Sequence, residues 1–157
     1  RLAPFGAELI YFDPFPVKPE VEQALGVERV SLDDLLRRAD IVTLHVPLND
    51  QTRHIIDARA LSLMKPTAVV INTCRGPVID EPALTAALQE RRIRGAGLDV
   101  LYKEPPTPDN PILQLENVLF SPHSAGVTYD TWQRRGAFIF ENLQRVANGE
   151  KPLAVIG

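Results

Sequence analysis

Ala68-Val69-Val70-Ile71-Asn72-Thr73-Cys74-Arg75-Gly76 is the stretch that decides how this chain folds. Its first half is an unbroken apolar run, β-branched at Val69, Val70 and Ile71, and has the length of a buried strand. Its second half turns polar at once and ends in glycine, as a chain does on leaving a strand. The same shape recurs along the sequence. Leu9-Ile10-Tyr11-Phe12 runs into Asp13-Pro14, and Ile41-Val42-Thr43-Leu44-His45-Val46 stops at Pro47. Gly95-Ala96-Gly97-Leu98-Asp99-Val100 and Val118-Leu119-Phe120 complete the set. Near-continuous apolar runs of this kind predict strands buried on both faces, the habit of a parallel sheet.

Helical patterns fall between these runs. Ser31 with Asp34 forms a capping box, Asp replacing the usual Glu, ahead of Leu32–Arg38. Asp57 can cap a short turn ending near Met64-Lys65-Pro66, and Asp80 can cap Glu81–Arg92, with Pro82 tolerated in the first turn. Thr128–Ala147 is the longest helical pattern, and Asn148-Gly149 stops it. Strand–helix alternation predicts an α/β fold, an open, doubly wound parallel sheet with helices on both faces. The two proline-rich stretches, Pro14–Pro19 and Pro105–Pro111, read as long surface loops. A dinucleotide-binding fold opens with a strand and a glycine-rich turn that meets a pyrophosphate. Both are lacking here, and Arg1–Glu8 reads as the end of a helix running into a second strand.

Composition narrows the function. The 157 residues carry 17 Lys+Arg against 20 Asp+Glu, a net charge of −3, which argues against nucleic acid as a partner. Hydrophobic residues make up 45% and charged residues 24%, as in a globular domain rather than a disordered chain. No run approaches the roughly 20 apolar residues of a membrane span, and the opening residues lack the shape of a signal peptide. One cysteine cannot form a disulfide within the chain, which points to a reducing compartment, the cytoplasm. Three scattered histidines and that cysteine make no zinc pattern, so no metal is expected.

Polar residues recur where the predicted strands end: Asp13, His45, Thr73, Arg75, Asp99, Glu104 and His123. Ligands bind along that edge in open parallel sheets. Asp13 has two readings, a ribose 2′-hydroxyl ligand that favours NAD over NADP, or an Asp-Pro turn. Arg75 can hold a carboxylate through two parallel hydrogen bonds, with Gly76 allowing tight backbone passage, or can form a surface salt bridge. His123, in Ser121-Pro122-His123-Ser124-Ala125-Gly126, can exchange a hydroxyl proton near neutral pH, or is a loop histidine. Glu104 can orient that imidazole, or is a solvated glutamate. His45 closes a strand and lines a pocket, His54 reads as surface, and Cys74 as a small packed side chain. Trp132, Phe138 and Phe140 read as core or interface.

Taken together, Tyr11–Pro14, His45-Val46-Pro47-Leu48 with Thr52, Asn72–Asp80, Gly97-Leu98-Asp99-Val100 with Glu104-Pro105, and Ser121–Gly126 resemble the D-isomer-specific 2-hydroxyacid dehydrogenase family, and within it the phosphoglycerate dehydrogenase-like members. The resemblance runs through nearly the whole chain in one order. It implies a partial Rossmann-like sheet lacking its first strand and glycine-rich turn. Residues 1–157 would be an incomplete NAD-binding domain, over about 1–127. A C-terminal helix and tail, about 128–157, would lead back toward a missing substrate domain. It implies hydride transfer between NAD and a 2-hydroxy or 2-oxo acid. Arg75 would bind the substrate carboxylate, His123 act as acid–base and Glu104 pair with it. Asp13 would meet the adenosine ribose and Asp99 the nicotinamide amide. His45, Val46, Pro47, Thr52, Thr73, Cys74, Arg75, His123, Ser124, Ala125 and Gly126 would line the cofactor. Glutamate opposite the histidine favours a hydroxyacid over formate, whose dehydrogenases carry glutamine, and leaves phosphite oxidation open. The family also implies a homodimer. Two other readings remain: an NAD(H)-sensing binding module of the corepressor type, and an inactive truncated fragment.

Overall fold

The apolar runs become strands and the capped segments become helices. The computed structural model describes residues 2–155. Its strands are β1 (Leu9–Tyr11), β2 (Val27–Arg29), β3 (Ile41–Leu44), β4 (Val69–Asn72), β5 (Gly95–Leu98) and β6 (Val118–Phe120). Its helices are α1 (Pro19–Leu25), α2 (Leu32–Arg38), α3 (Ala58–Leu63), α4 (Glu81–Gln89) and α5 (Tyr129–Ala147). All pairing between these strands is parallel: β1 with β2, and β3-β4-β5-β6 as a 4-stranded sheet. The chain divides into two compact units, Arg1–Pro122 with all six strands and α1–α4, and His123–Gly157 with α5.

Side-chain caps start the helices where the sequence places them. Ser31 accepts the Asp34 N–H at 3.1 Å, and its hydroxyl donates to the Asp34 carboxylate at 2.7 Å. Asp57 and Asp80 accept the N–H groups of Ala60 and Ala83, at 2.7 and 3.1 Å. Thr128 accepts from Thr131 at 3.2 Å. Each such bond satisfies a backbone donor that has no partner inside the first turn. Helix α4 ends at Gln89 rather than at Arg92. Arg91 takes a left-handed φ of 56°, and Arg92 N–H reaches back to Ala87 C=O at 2.9 Å, so Arg91 fills the position usually given to glycine.

Two elements are added and three further expectations corrected. Between the Pro14–Pro19 loop and Ser31, Pro19 opens α1, Gly26 closes it at φ 61°, and β2 follows directly to pair with β1. No residue of α1 is buried and β2 holds one apolar residue, so neither has the periodicity that reveals an element. The helix end expected over Arg1–Glu8 is a 3-10 turn at Ala3–Phe5; Arg1 lies outside the described residues. The main strands are not buried alike on both faces. Val42, Val70, Ala96 and Val118 stand in register and are buried. One residue toward the amino end, Ile41 is 64% exposed, and one toward the carboxyl end, Leu119 is 80% exposed. The buried face packs on Leu36 of α2, Ala60 and Leu61 of α3, and Leu84, Ala87 and Leu88 of α4. In α5 no residue is buried, so Trp132, Phe138 and Phe140 are not core residues.

One close approach fixes the carboxyl edge of the sheet. A Cβ on Gly76 would lie 2.0 Å from the Leu101 carbonyl oxygen and 2.6 Å from the Tyr102 nitrogen, so the two backbone segments touch where only glycine fits. Gly76→Ala therefore forces the Leu101–Tyr102 backbone away. We expect it to cost about 3 kcal/mol, the upper end of overpacking penalties, because backbone cannot repack as a side chain does. Urea unfolding checks this, and an unchanged midpoint would refute the contact.

Candidate functional site

The four strand ends align. Leu44, Asn72, Leu98 and Phe120 stand in register, so His45, Thr73, Asp99 and Ser121 form the next row, just beyond the sheet. Asp99 is buried, donates its N–H to Asn72 C=O at 2.9 Å, and accepts the Ser121 hydroxyl on its carboxylate. His45 is exposed, with its Nε2 2.9 Å from the Thr43 hydroxyl. Thr52 donates its hydroxyl to Pro47 C=O at 2.6 Å and accepts the Asn49 N–H at 2.9 Å, which shapes the loop carrying Val46 and Pro47.

Asn72 organises the turn after β4. Its side-chain oxygen accepts the Cys74 N–H at 3.0 Å and the Cys74 thiol at 3.1 Å, and its amide donates to Arg75 C=O at 2.9 Å. Asn72 is 1% exposed, so these bonds form away from water and hold the Thr73–Arg75 backbone in one shape. Cys74 is thereby a packed thiol rather than a surface one. The Arg75 guanidinium is exposed, donates to Cys74 C=O at 2.6 Å, and makes no ion pair among the described residues. The salt-bridge reading of Arg75 therefore has no partner within those residues.

Across the Gly76 contact lies the Glu104 turn. Glu104 accepts the Leu101 N–H at 3.0 Å, which curls the side chain over its own turn. Glu81 secures the same segment from α4, accepting from Tyr102 N–H at 2.8 Å and from the Asn110 amide at 2.9 Å. Arg75 and Glu104 thus occupy two turns joined through Gly76 and Leu101. Sequence reasoning missed Asn72, Glu81 and Ser121 as site builders. Asn72 had a local signal in its position directly before the turn; Glu81 had none, because its partners lie far along the chain.

Asp13 follows β1, and its carboxylate accepts the Phe15 N–H at 2.8 Å, the turn geometry of an Asp-Pro sequence. The Arg29 guanidinium donates to its backbone carbonyl at 2.9 Å. Beside them opens a cleft of about 630 Å³ lined by Phe12, Pro16, Val17, Pro19, Glu22, Arg29, Val30 and Ser31. At its wall Tyr11 donates to Glu22, and that hydrogen bond, aided by desolvation, raises the phenol above its ordinary pKa.

His123, Ser124, Ala125 and Gly126 open the second unit. His123 takes a left-handed φ of 53°, and Val127 N–H closes a turn on Ser124 C=O at 2.9 Å ahead of α5. His54 is not a surface residue: it is half-buried, and its Nε2 is inaccessible. Among the described residues no group of three or more His, Cys, Asp or Glu side chains could hold a metal ion, and no helix is long and apolar enough to cross a membrane.

Residues 1–125 match the family described as "D-isomer specific 2-hydroxyacid dehydrogenase, NAD binding domain". The chain is 45% identical over 152 residues to a glyoxylate reductase of Korarchaeum cryptofilum, covering 97% of this chain and 46% of that protein. It is 44% identical to a D-3-phosphoglycerate dehydrogenase of Methanocaldococcus jannaschii, covering 96% of this chain and 28% of that protein. The apo crystal structure of Rhodotorula graminis D-mandelate dehydrogenase superposes with a TM-score of 0.88 at 37% identity, covering 99% of this chain and 46% of that one. The chain thus spans under half the length of each of these relatives. A parallel sheet with its polar row at the carboxyl edge, and a match over most of its length, place this chain in the D-isomer specific 2-hydroxyacid dehydrogenase family, as an NAD-binding domain.

Proposed function

We propose that this chain is the cofactor half of an NAD-dependent dehydrogenase acting on a small 2-hydroxy or 2-oxo acid. The observation that carries the reading is the exposed Arg75 guanidinium, without an ion pair among the described residues, on a turn braced against the one that bears Glu104. A planar cation left open at the edge of a parallel sheet is what a carboxylate substrate needs, because two parallel N–H···O bonds fix its plane as well as its charge. The relatives named above are enzymes, which favours this reading over an NAD(H)-sensing binding module.

The open cleft beside Asp13, with Phe12, Val17 and Val30 in its lining, suits an adenosine. In this reading Asp13 accepts from the ribose hydroxyls with the carboxylate oxygen that its turn leaves over, and Asp99 meets the carboxamide. His45, Val46, Pro47, Thr52, Thr73, Cys74, Ser124, Ala125 and Gly126 line the rest. NAD, when bound, supplies or accepts the hydride. The side chains do the remainder. Arg75 orients the acid. His123 gives a proton to the carbonyl oxygen in reduction and removes the hydroxyl proton in oxidation, and Glu104 stabilises the resulting imidazolium. The NAD-binding domain runs to about residue 127, and the helix and tail after it lead toward a substrate domain. The reading extends to a homodimer in the cytoplasm, the latter supported by the single cysteine.

In the full-length enzyme that carries this chain, His123→Ala should lower kcat by about 10²–10⁴-fold, the usual span for losing an acid–base group. Steady-state assays of 2-oxo acid reduction with NADH read this directly, and undiminished turnover would remove His123 from the mechanism. Asp13→Ala should erode the preference for NADH over NADPH, measured as the ratio of kcat/KM values. An unchanged ratio would leave Asp13 as a turn residue alone.

A further inference from the structure

His54 is the residue this mechanism leaves unused, and three observations single it out. Its backbone holds a left-handed φ of 53°, a region that costs any residue with a Cβ some strain, although histidine tolerates it better than most. Its Nε2 is buried and has no hydrogen-bond partner among the described residues, so the ring is not held there for that nitrogen. Its ring meets that of Tyr102, centroids 6.0 Å apart and planes tilted by 43°.

The surroundings give this contact a purpose. His54 N–H donates to Pro77 C=O at 2.9 Å, and Ile56 bridges Ile79, so the His54 backbone is fixed to the segment leaving Gly76. Tyr102 lies on the other side of Gly76, its nitrogen within 2.6 Å of where a Cβ there would stand. The ring pair therefore closes a loop of contacts: Gly76 to Tyr102 by backbone, Tyr102 to His54 by rings, His54 back to Pro77 by hydrogen bond. Leu101, next to Tyr102, donates the N–H that curls Glu104.

We propose that His54 is a positioning residue, a brace whose ring, packed on Tyr102, holds the turn that presents Glu104. The inference rests on the reading of Glu104 as the carboxylate of the acid–base pair and adds the element that keeps it in place. The ring acts as a packing surface, and no hydrogen bond from Nε2 enters the argument.

The test uses the full-length enzyme. His54→Asn keeps a residue at home in the left-handed region and removes the ring; Tyr102→Ala removes the same contact from a side chain that is 49% exposed and free of that backbone demand. Both should lower kcat by about ten- to a hundredfold, the scale of a slightly misplaced catalytic group, with KM for NADH within about twofold. Hydrogen exchange at the Tyr102 amide should quicken about tenfold in each, since this bond to Glu81 opens locally. Tyr102→Phe, which keeps the ring on the side of the contact free of that backbone demand, should hold kcat within a few-fold of wild type. Wild-type kcat together with wild-type exchange in both contact-deleting variants would overturn the proposal. So would a folded Tyr102→Phe enzyme as slow as Tyr102→Ala, because the hydroxyl and not the ring contact would then matter. Glu104→Gln is measured alongside. If it leaves kcat unchanged, the reading of Glu104 fails and exchange alone judges the brace, faster exchange upholding it and unchanged exchange overturning it.

Discussion

The backbone contact at Gly76 is the constraint on which the candidate site depends. A hydrogen at this position lets the chain leaving β4 and the chain leaving β5 meet at van der Waals distance. Any side chain would hold them apart by the thickness of a methyl group, and the turns bearing Arg75 and Glu104 would separate with them. Short polar links then fasten each turn to the scaffold. Asn72 holds the first from below, through groups hidden from water, and Glu81 holds the second from the start of α4. Positions set in this way are more precise than loops alone provide, because each turn inherits the rigidity of a strand or helix.

A parallel sheet makes its carboxyl edge a natural place for such a site. Every strand ends in the same direction, so one row of residues emerges together with backbone groups that the ladder no longer pairs. Here that row is His45, Thr73, Asp99 and Ser121, and the polar side chains partly serve the chain itself. Asp99 binds Ser121, and Thr52 binds Pro47 and Asn49. Thr52 thus shapes the wall on which a cofactor would rest before it touches anything bound there.

How much was legible in the sequence follows the range of the interaction. Caps and strand ends are local. Ser31, Asp57, Asp80 and Thr128 each bind a backbone group three residues on, and all four could be read from the chain. The strand-end candidates were equally visible, because an apolar run followed at once by a polar residue needs no partner to be seen. Helix α1 and strand β2 were not. They bury too little to carry a periodic pattern, and β2 is specified by its pairing with β1. His54 was misread for a related reason. Beside Arg53 it has the local look of surface, and its ring meets Tyr102, from a distant turn.

Stability and chemistry are drawn from different parts of the first unit. Its fully buried side chains, among them Leu36, Ile56, Leu61, Val70, Leu84 and Leu88, lie mostly between the sheet and α2 to α4. The polar edge contributes little apolar burial and stands on hydrogen bonds, which net only about 1 kcal/mol each. A fold arranged this way can vary its edge while its core stays intact, and the reverse also holds. The exception is Gly76, a buried residue that belongs to both: Val78, two residues on, is wholly buried in the core, while its neighbour Arg75 faces solvent. A side chain there would disturb the packing of one and the aim of the other, so this position couples what the rest of the fold keeps apart.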